Sequence, residues 1–286
     1  NEETVLPPYC SNLPKNPVPE NCTEPVNAYA PWSYTYLMPF SFLSRPVAWF
    51  LYCVFMGLSL ACAVVLVRAA HRDAMSSGDG FLLVAVPMIV VSYLVWSNVS
   101  VGNVIVFTLA GSVAMAAALT KGRGVLAGLC WAIAMIKPQS AILFAVPLLL
   151  RPQWKTCFVA GGFALAASFL PVRMCGTPLF DLLRQGPAAN EQLFDGCGTW
   201  PKFLCGFLPP SLDIGMGLVI GLLLCVAMTV MLRREKDWFT LLMPAAVCGA
   251  SWTYTQAYSH AMCWFLAFVV FREWLARPRC AFLATL

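Results

Sequence analysis

The segment Met135-Ile136-Lys137-Pro138-Gln139-Ser140-Ala141 puts a lysine, a proline and a glutamine in the middle of the otherwise apolar stretch WAIAMIKPQSAILFAVPLLL. A charge at bilayer depth costs roughly 2.5–3.5 kcal/mol on insertion scales, so a lysine there faces a cavity or a partner and marks function. Lys137 beside Gln139 and Ser140 can hold an anion. A helix starting at Pro138 adds the partial positive charge of its N-terminus. At that depth the available anion is a lipid phosphate. The competing reading is a lysine that snorkels to the interface. The anion site is favoured because the Lys-Pro-Gln cluster interrupts what could have been one helix.

Two more polar clusters suit a sugar. In SNVSVGN (97–103), Asn98 and Asn103 could hydrogen-bond hydroxyls or could cap the next helix. SWTYTQAYSH (251–260) gathers Tyr254, Gln256 and His260 among hydroxyls and aromatics, and fits either a carbohydrate or an interfacial aromatic belt. Glycosyl transfer also needs a base for the acceptor hydroxyl, usually a carboxylate. The polar segments supply Glu2, Glu3, Glu20, Glu24, Asp181, Glu191, Asp195 and Asp213. For each of these a solvated loop charge is the plainer reading. Thirteen cysteines are present with no CxxC pair, so no metal site is expected. Cys10 with Cys22 and Cys197 with Cys205 are the disulfide candidates if their segments face an oxidising compartment.

The elements that position these residues follow from composition. Of 286 residues, 60% are hydrophobic and 11% charged, and the mean hydropathy is +0.74. These values predict an integral membrane protein. The net charge of +5 comes from basic residues scattered beside apolar runs, which excludes a nucleic-acid footprint. Apolar runs fall near 46–69, 81–97, 103–120, 124–136, 138–150, 156–172, 212–232, 238–250 and 257–275.

Twelve of the eighteen Lys and Arg residues sit in five gaps, around 68–72, 121–123, 151–155, 233–236 and 272–279. The positive-inside rule puts those gaps in the cytoplasm. The gaps at 1–45, 97–103, 173–211 and 250–257 are then outer. With both flanks of 124–150 inside, this stretch must go out and return. Each half is about 13 residues, roughly 20 Å of helix, against a core of about 30 Å. MIKPQSA is therefore expected at the apex of a hairpin of short helices, with Pro138 opening the returning helix.

The fold expected is all-α, a multi-pass transmembrane bundle with a short-helix hairpin and two extracytoplasmic segments. Its parts are an outer segment 1–45, a membrane domain 46–275 with an outer loop at 173–211, and a cytoplasmic tail 276–286. The chain opens on Asn1 with a polar, Pro-rich segment, which predicts a fragment missing an upstream helix.

Tyr29-Ala30-Pro31 leading into a helix, the outer Gly102-Asn103, a basic turn, then a Gly-rich helix, Lys137-Pro138-Gln139, a helix and the basic-aromatic turn RPQWK follow in order. That order resembles glycosyltransferase family 87, polyprenol-phosphate-dependent mannosyltransferase-like proteins of the GT-C fold. The resemblance covers roughly residues 27–275 and is most specific over 97–155. It implies a hexosyl- or mannosyltransferase of the cell envelope, integral to a bacterial plasma membrane with its active face extracytoplasmic. The donor would be a polyprenyl-phosphate-linked sugar and the acceptor a lipid or glycan, with inversion and no certain cofactor. Lys137 and Gln139 would lie near the donor phosphate. Tyr29, Asn98, Asn103, Tyr254, Gln256 and His260 would lie near the sugar or acceptor.

The family's catalytic Asp follows its first transmembrane helix. This chain has no Asp before Asp73, so the base is unassigned, with Glu20 and Glu24 as weak candidates. A second class fits the same residues: a non-catalytic polyprenyl-lipid transporter or flippase, or an inactive GT-C homologue.

Overall fold

In the computed structural model, residues 31–70, 103–175, 178–181, 183, 210–251 and 261–276 are described. They form helices and no strand. In chain order these are α1 (Pro31–Ser41), α2 (Arg45–Ala70), α3 (Ile105–Thr120), α4 (Gly124–Ala134), α5 (Pro138–Ala141), α6 (Ala145–Leu150), α7 (Trp154–Cys175), α8 (Pro210–Met231), α9 (Trp238–Ser251) and α10 (Cys263–Ala276). A 3-10 turn, Ile142–Phe144, joins α5 to α6. The apolar run 81–97 and the tail 277–286 lie outside the described residues, and α1 falls within the segment read as an outer one.

Among the described residues two helices are long and apolar enough to cross a membrane, Arg45–Ala69 and Trp154–Met174. Their surfaces are what lipid requires. Phe50 and Leu58 on α2, and Phe158, Leu165 and Phe169 on α7, are all at least 60% exposed. The interior holds small and polar residues such as Ala63, Ala116, Ala127, Ser112 and Thr156 beside large apolar ones such as Phe144, Phe239, Phe265 and Phe268. Helix packing in lipid selects small residues inside, because apolar bulk is no worse off in contact with acyl chains. Some interior hydroxyls bond within their own helix. Ser112 Oγ donates to Thr108 O at 2.7 Å and Thr229 Oγ1 to Cys225 O at 2.6 Å. The chain is a helical membrane protein.

Local chemistry sets the turns. After α3, Gly122 takes φ +66°, a conformation glycine adopts without a Cβ clash. Its N–H donates to Leu119 O at 2.9 Å, and Arg123 N–H donates to Ala118 O at 2.9 Å. This is a Schellman stop, built by the KGRG stretch. Before α9, Asp237 Oδ2 accepts from the N–H and the hydroxyl of Thr240, both at 2.8 Å, as a helix N-cap. The Arg151 guanidinium lies 5.7 Å from the Trp238 ring centre and donates to Arg233 O and Glu235 O. It ties the 151–153 turn to the one before α9.

Contacts give the directions of the helices. A Cβ on Gly111 would meet the backbone of Cys130 and Ala134 at 2.8–2.9 Å, so α3 and α4 run antiparallel in close contact. Gly128 faces Thr156 and Val159 of α7, and Thr156 Oγ1 donates to Gly124 O at 3.0 Å. Helices α4 and α7 therefore run parallel, and the chain from 124 to 155 goes out and comes back. Pro138 opens the returning half. That half is not one helix, since α5, the 3-10 turn and α6 break it into three.

Candidate functional site

The site lies where α4 stops. A helix end leaves its last carbonyls without partners, and in an apolar medium each such group is costly. Three side chains on one face of α1 satisfy them. Trp32 Nε1 donates to Met135 O at 2.6 Å, Ser33 Oγ to Ile136 O at 2.7 Å and Tyr36 OH to Ala132 O at 3.0 Å. Trp131 Nε1 reaches across the break to Ala141 O at 3.0 Å. The backbone that carries Lys137 is thus held from both sides.

Removing the α1 hydroxyls tests this support. The double variant Ser33→Ala/Tyr36→Phe strands two carbonyls at about 1–2 kcal/mol each. A lowered thermal midpoint of the purified protein is the expected result.

Lys137 takes φ −123° and ψ 82° at the N-cap of α5 and is only 3% exposed. The snorkelling alternative needs an exposed ammonium, and here the side chain is buried. Its Nζ donates to Asn103 Oδ1 at 3.4 Å. The same oxygen accepts the N–H of Ile105 at 3.0 Å, and Tyr52 OH donates to Asn103 O at 2.7 Å. Asn103 therefore both caps α3 and orients the ammonium. Being neutral, it does so without cancelling the charge.

Helix α9 closes over α5 through Gly249. A Cβ there would lie 2.4 Å from Ser140 O. Three buried polar atoms, Thr108 Oγ1, Ser140 Oγ and Trp264 Nε1, have no hydrogen-bond partner among the described residues. The helix directions put all three in the Lys137 half of the molecule. Thr108 is five residues beyond Asn103, and Trp264 is the second residue of α10. Buried polar groups are ordinarily paired, so these three are exceptions among the described residues.

The structure brings Lys137 and Asn103 together and leaves Gln139 half-buried beside them. Tyr29, Asn98, Tyr254, Gln256, His260, Glu20, Glu24, Glu191 and Asp195, and Cys10, Cys22, Cys197 and Cys205, lie outside the described residues. Sequence reasoning did not single out Trp32, Ser33, Tyr36, Tyr52 or Gly249. The signal for the α1 trio was present in polar and aromatic residues at i, i+1 and i+4 just after Pro31.

The described residues form an all-helical chain with two helices long and apolar enough to cross a membrane and a buried lysine at a helix break. More specifically, the chain matches the model of glycosyltransferase family 87 over residues 27–195, more than half its length, and it belongs to that family. Membership implies a glycosyltransferase. The matched range includes α1, Asn103 and Lys137, while α8 to α10 lie beyond it. No curated protein and no solved structure matches the chain.

Proposed function

We propose that this chain is a multi-pass, GT-C-like glycosyltransferase of a bacterial plasma membrane, working on the extracytoplasmic face. It moves a hexose, mannose in the first instance, from a polyprenyl-phosphate donor to a lipid or glycan acceptor. The observation that carries this is the buried Lys137 ammonium held against Asn103 at a break in the membrane helices. In a low-dielectric site such a charge attracts a phosphate far more strongly than it would in water.

In transfer, the bond between the sugar C1 and the phosphate oxygen breaks while the acceptor oxygen bonds to C1 from the opposite face. The leaving lipid phosphate gains charge, which Lys137, with Gln139, would stabilise. The Asn103 amide oxygen is occupied, which leaves its NH2 to donate to a sugar hydroxyl. The acceptor proton passes to a carboxylate, for which Glu20 and Glu24 are the candidates in the first segment. Tyr29, Asn98, Tyr254, Gln256 and His260 would complete the sugar and acceptor side.

One observation favours a second reading. The broken run of α5, the 3-10 turn and α6 has the discontinuous form that lines transporter sites. Transfer of radiolabelled sugar from polyprenyl-phosphate donors, in membranes carrying the chain, separates the two. Labelled product is expected. If no donor yields product while labelled polyprenyl lipid crosses the membrane, the enzyme reading gives way to transport.

A further inference from the structure

The end of the molecule opposite Lys137 holds a cleft of about 460 Å³ that sugar transfer does not use. Parallel packing of α4 on α7 creates it, bringing Arg123 and Gly124 beside Lys155. A Cβ on Gly124 would lie 3.5 Å from the Lys155 Cβ. Lys121, Arg123, Arg151 and Lys155 lie at this end, together with Arg233, Arg234 and Lys236 on the turn whose carbonyls Arg151 bonds. Arg151 is committed to the carbonyls of Arg233 and Glu235 and to the Trp238 ring. The side chains of Arg123 and Lys155 line the cleft, are exposed, and have no hydrogen-bond or ion-pair partner among the described residues.

Away from this basic mouth the wall turns apolar. Val125, Leu126 and Leu129 line it and are 56%, 45% and 39% exposed. They lie on the first two turns of α4, so the wall rises from the cations towards the middle of the helix. A water-soluble anion would use the cations and leave the wall bare. An amphiphile would use both.

We propose that this cleft binds an anionic phospholipid. Its phosphate would sit between Arg123 and Lys155, and the start of its acyl chain would lie along Val125, Leu126 and Leu129. The leaflet is the one at the basic end, the inner leaflet in the orientation proposed above. The proposal stands apart from sugar transfer, and its test reads lipid binding alone.

The purified full chain in mild detergent is titrated with dioleoylphosphatidylglycerol or dioleoylphosphatidylcholine and weighed intact by native mass spectrometry. At about fivefold per cation near an anionic headgroup, the first phosphatidylglycerol should bind about 25-fold more tightly than phosphatidylcholine. Arg123→Gln/Lys155→Gln should remove that preference. Val125→Trp keeps both charges but fills the cleft, and should weaken the first phosphatidylglycerol about fivefold or more. Leu126→Trp repeats the steric test at a second exposed position. Lys121→Gln, in the same basic turn but off the cleft, should change nothing.

Three results would overturn the proposal. One is no preference in the wild type. Another is an effect of Lys121→Gln equal to that of the double variant, with neither tryptophan having any effect, which would mean diffuse attraction to the basic end. The last is displacement of the lipid by glycerol 3-phosphate at equal concentration, which would assign the cleft to a soluble anion.

Discussion

Lys137→Met is expected to reduce sugar transfer from a polyprenyl-phosphate donor by about a hundredfold to a thousandfold, the usual effect of removing one group that stabilises charge developing in a transition state. The loss should fall mainly on kcat. In the proposed reaction the donor phosphate gains charge as its bond to the sugar breaks, so the ammonium would act more strongly on the transition state than on the bound donor. Stability should move the other way. Holding an ammonium at 3% exposure is unfavourable, and methionine fills similar space without the charge, so the thermal midpoint should stay level or rise. A lysine kept for structure would show the reverse, with intact transfer and a fallen midpoint. That outcome would remove Lys137 from the site and leave the family assignment standing. Asn103→Leu should resemble a weaker Lys137 variant with added instability, because the same amide oxygen holds both Lys137 Nζ and the N–H of Ile105.

The central feature of the site was legible from the chain for a physical reason. Charge is expensive in an apolar run, so Lys137 had to be buried with a partner or displaced to an interface. The basic gaps forced the chain between 124 and 155 to return, and the Gly124–Thr156 contact shows that it does. Pro138 at the start of α5 followed from the lost N–H and fixed φ of proline. The bond from Ile105 N–H to Asn103 Oδ1 at the start of α3 agrees with the capping alternative read for Asn103, while its contact with Lys137 Nζ was not readable.

Much of what could not be read was long-range. The α1 side chains bond carbonyls about a hundred residues away in sequence, and no local pattern specifies which helix end they will meet. The returning half looked like one short helix because it is apolar from Ala141 to Leu150. Its break into two helical pieces and a 3-10 turn falls where Pro147, in the first turn of α6, has no N–H to give to Leu143 O. The sequence could not select a base for the proposed transfer, since loop carboxylates carry no periodicity that would single one out.

Gly249 shows how much of the site depends on the packing of α9. Its neighbour is backbone: a Cβ at this position would lie 2.4 Å from Ser140 O and 3.1 Å from Ser140 C. No rotamer change relieves such a clash, so α9 or α5 must move. Gly249→Ala is expected to cost about 1–3 kcal/mol, as overpacking does. Because Ser140 is three residues from Lys137 on the same short element, the ammonium should shift with it. Misplacement by about 1 Å can cost on the order of a hundredfold in rate, so transfer should fall much further than the stability loss alone would give.

Gly161→Ala on α7 is the matched control. Its Cβ would meet nothing within 4 Å, and alanine in a helix is favoured over glycine by roughly 0.8–1 kcal/mol, so that variant should be as stable as the wild type or more so, with transfer unchanged. If Gly249→Ala is folded and transfers at the wild-type rate, the contact between α9 and α5 is not what holds Lys137 in place. The Asn103 bond and the α1 caps would then remain as supports of that position.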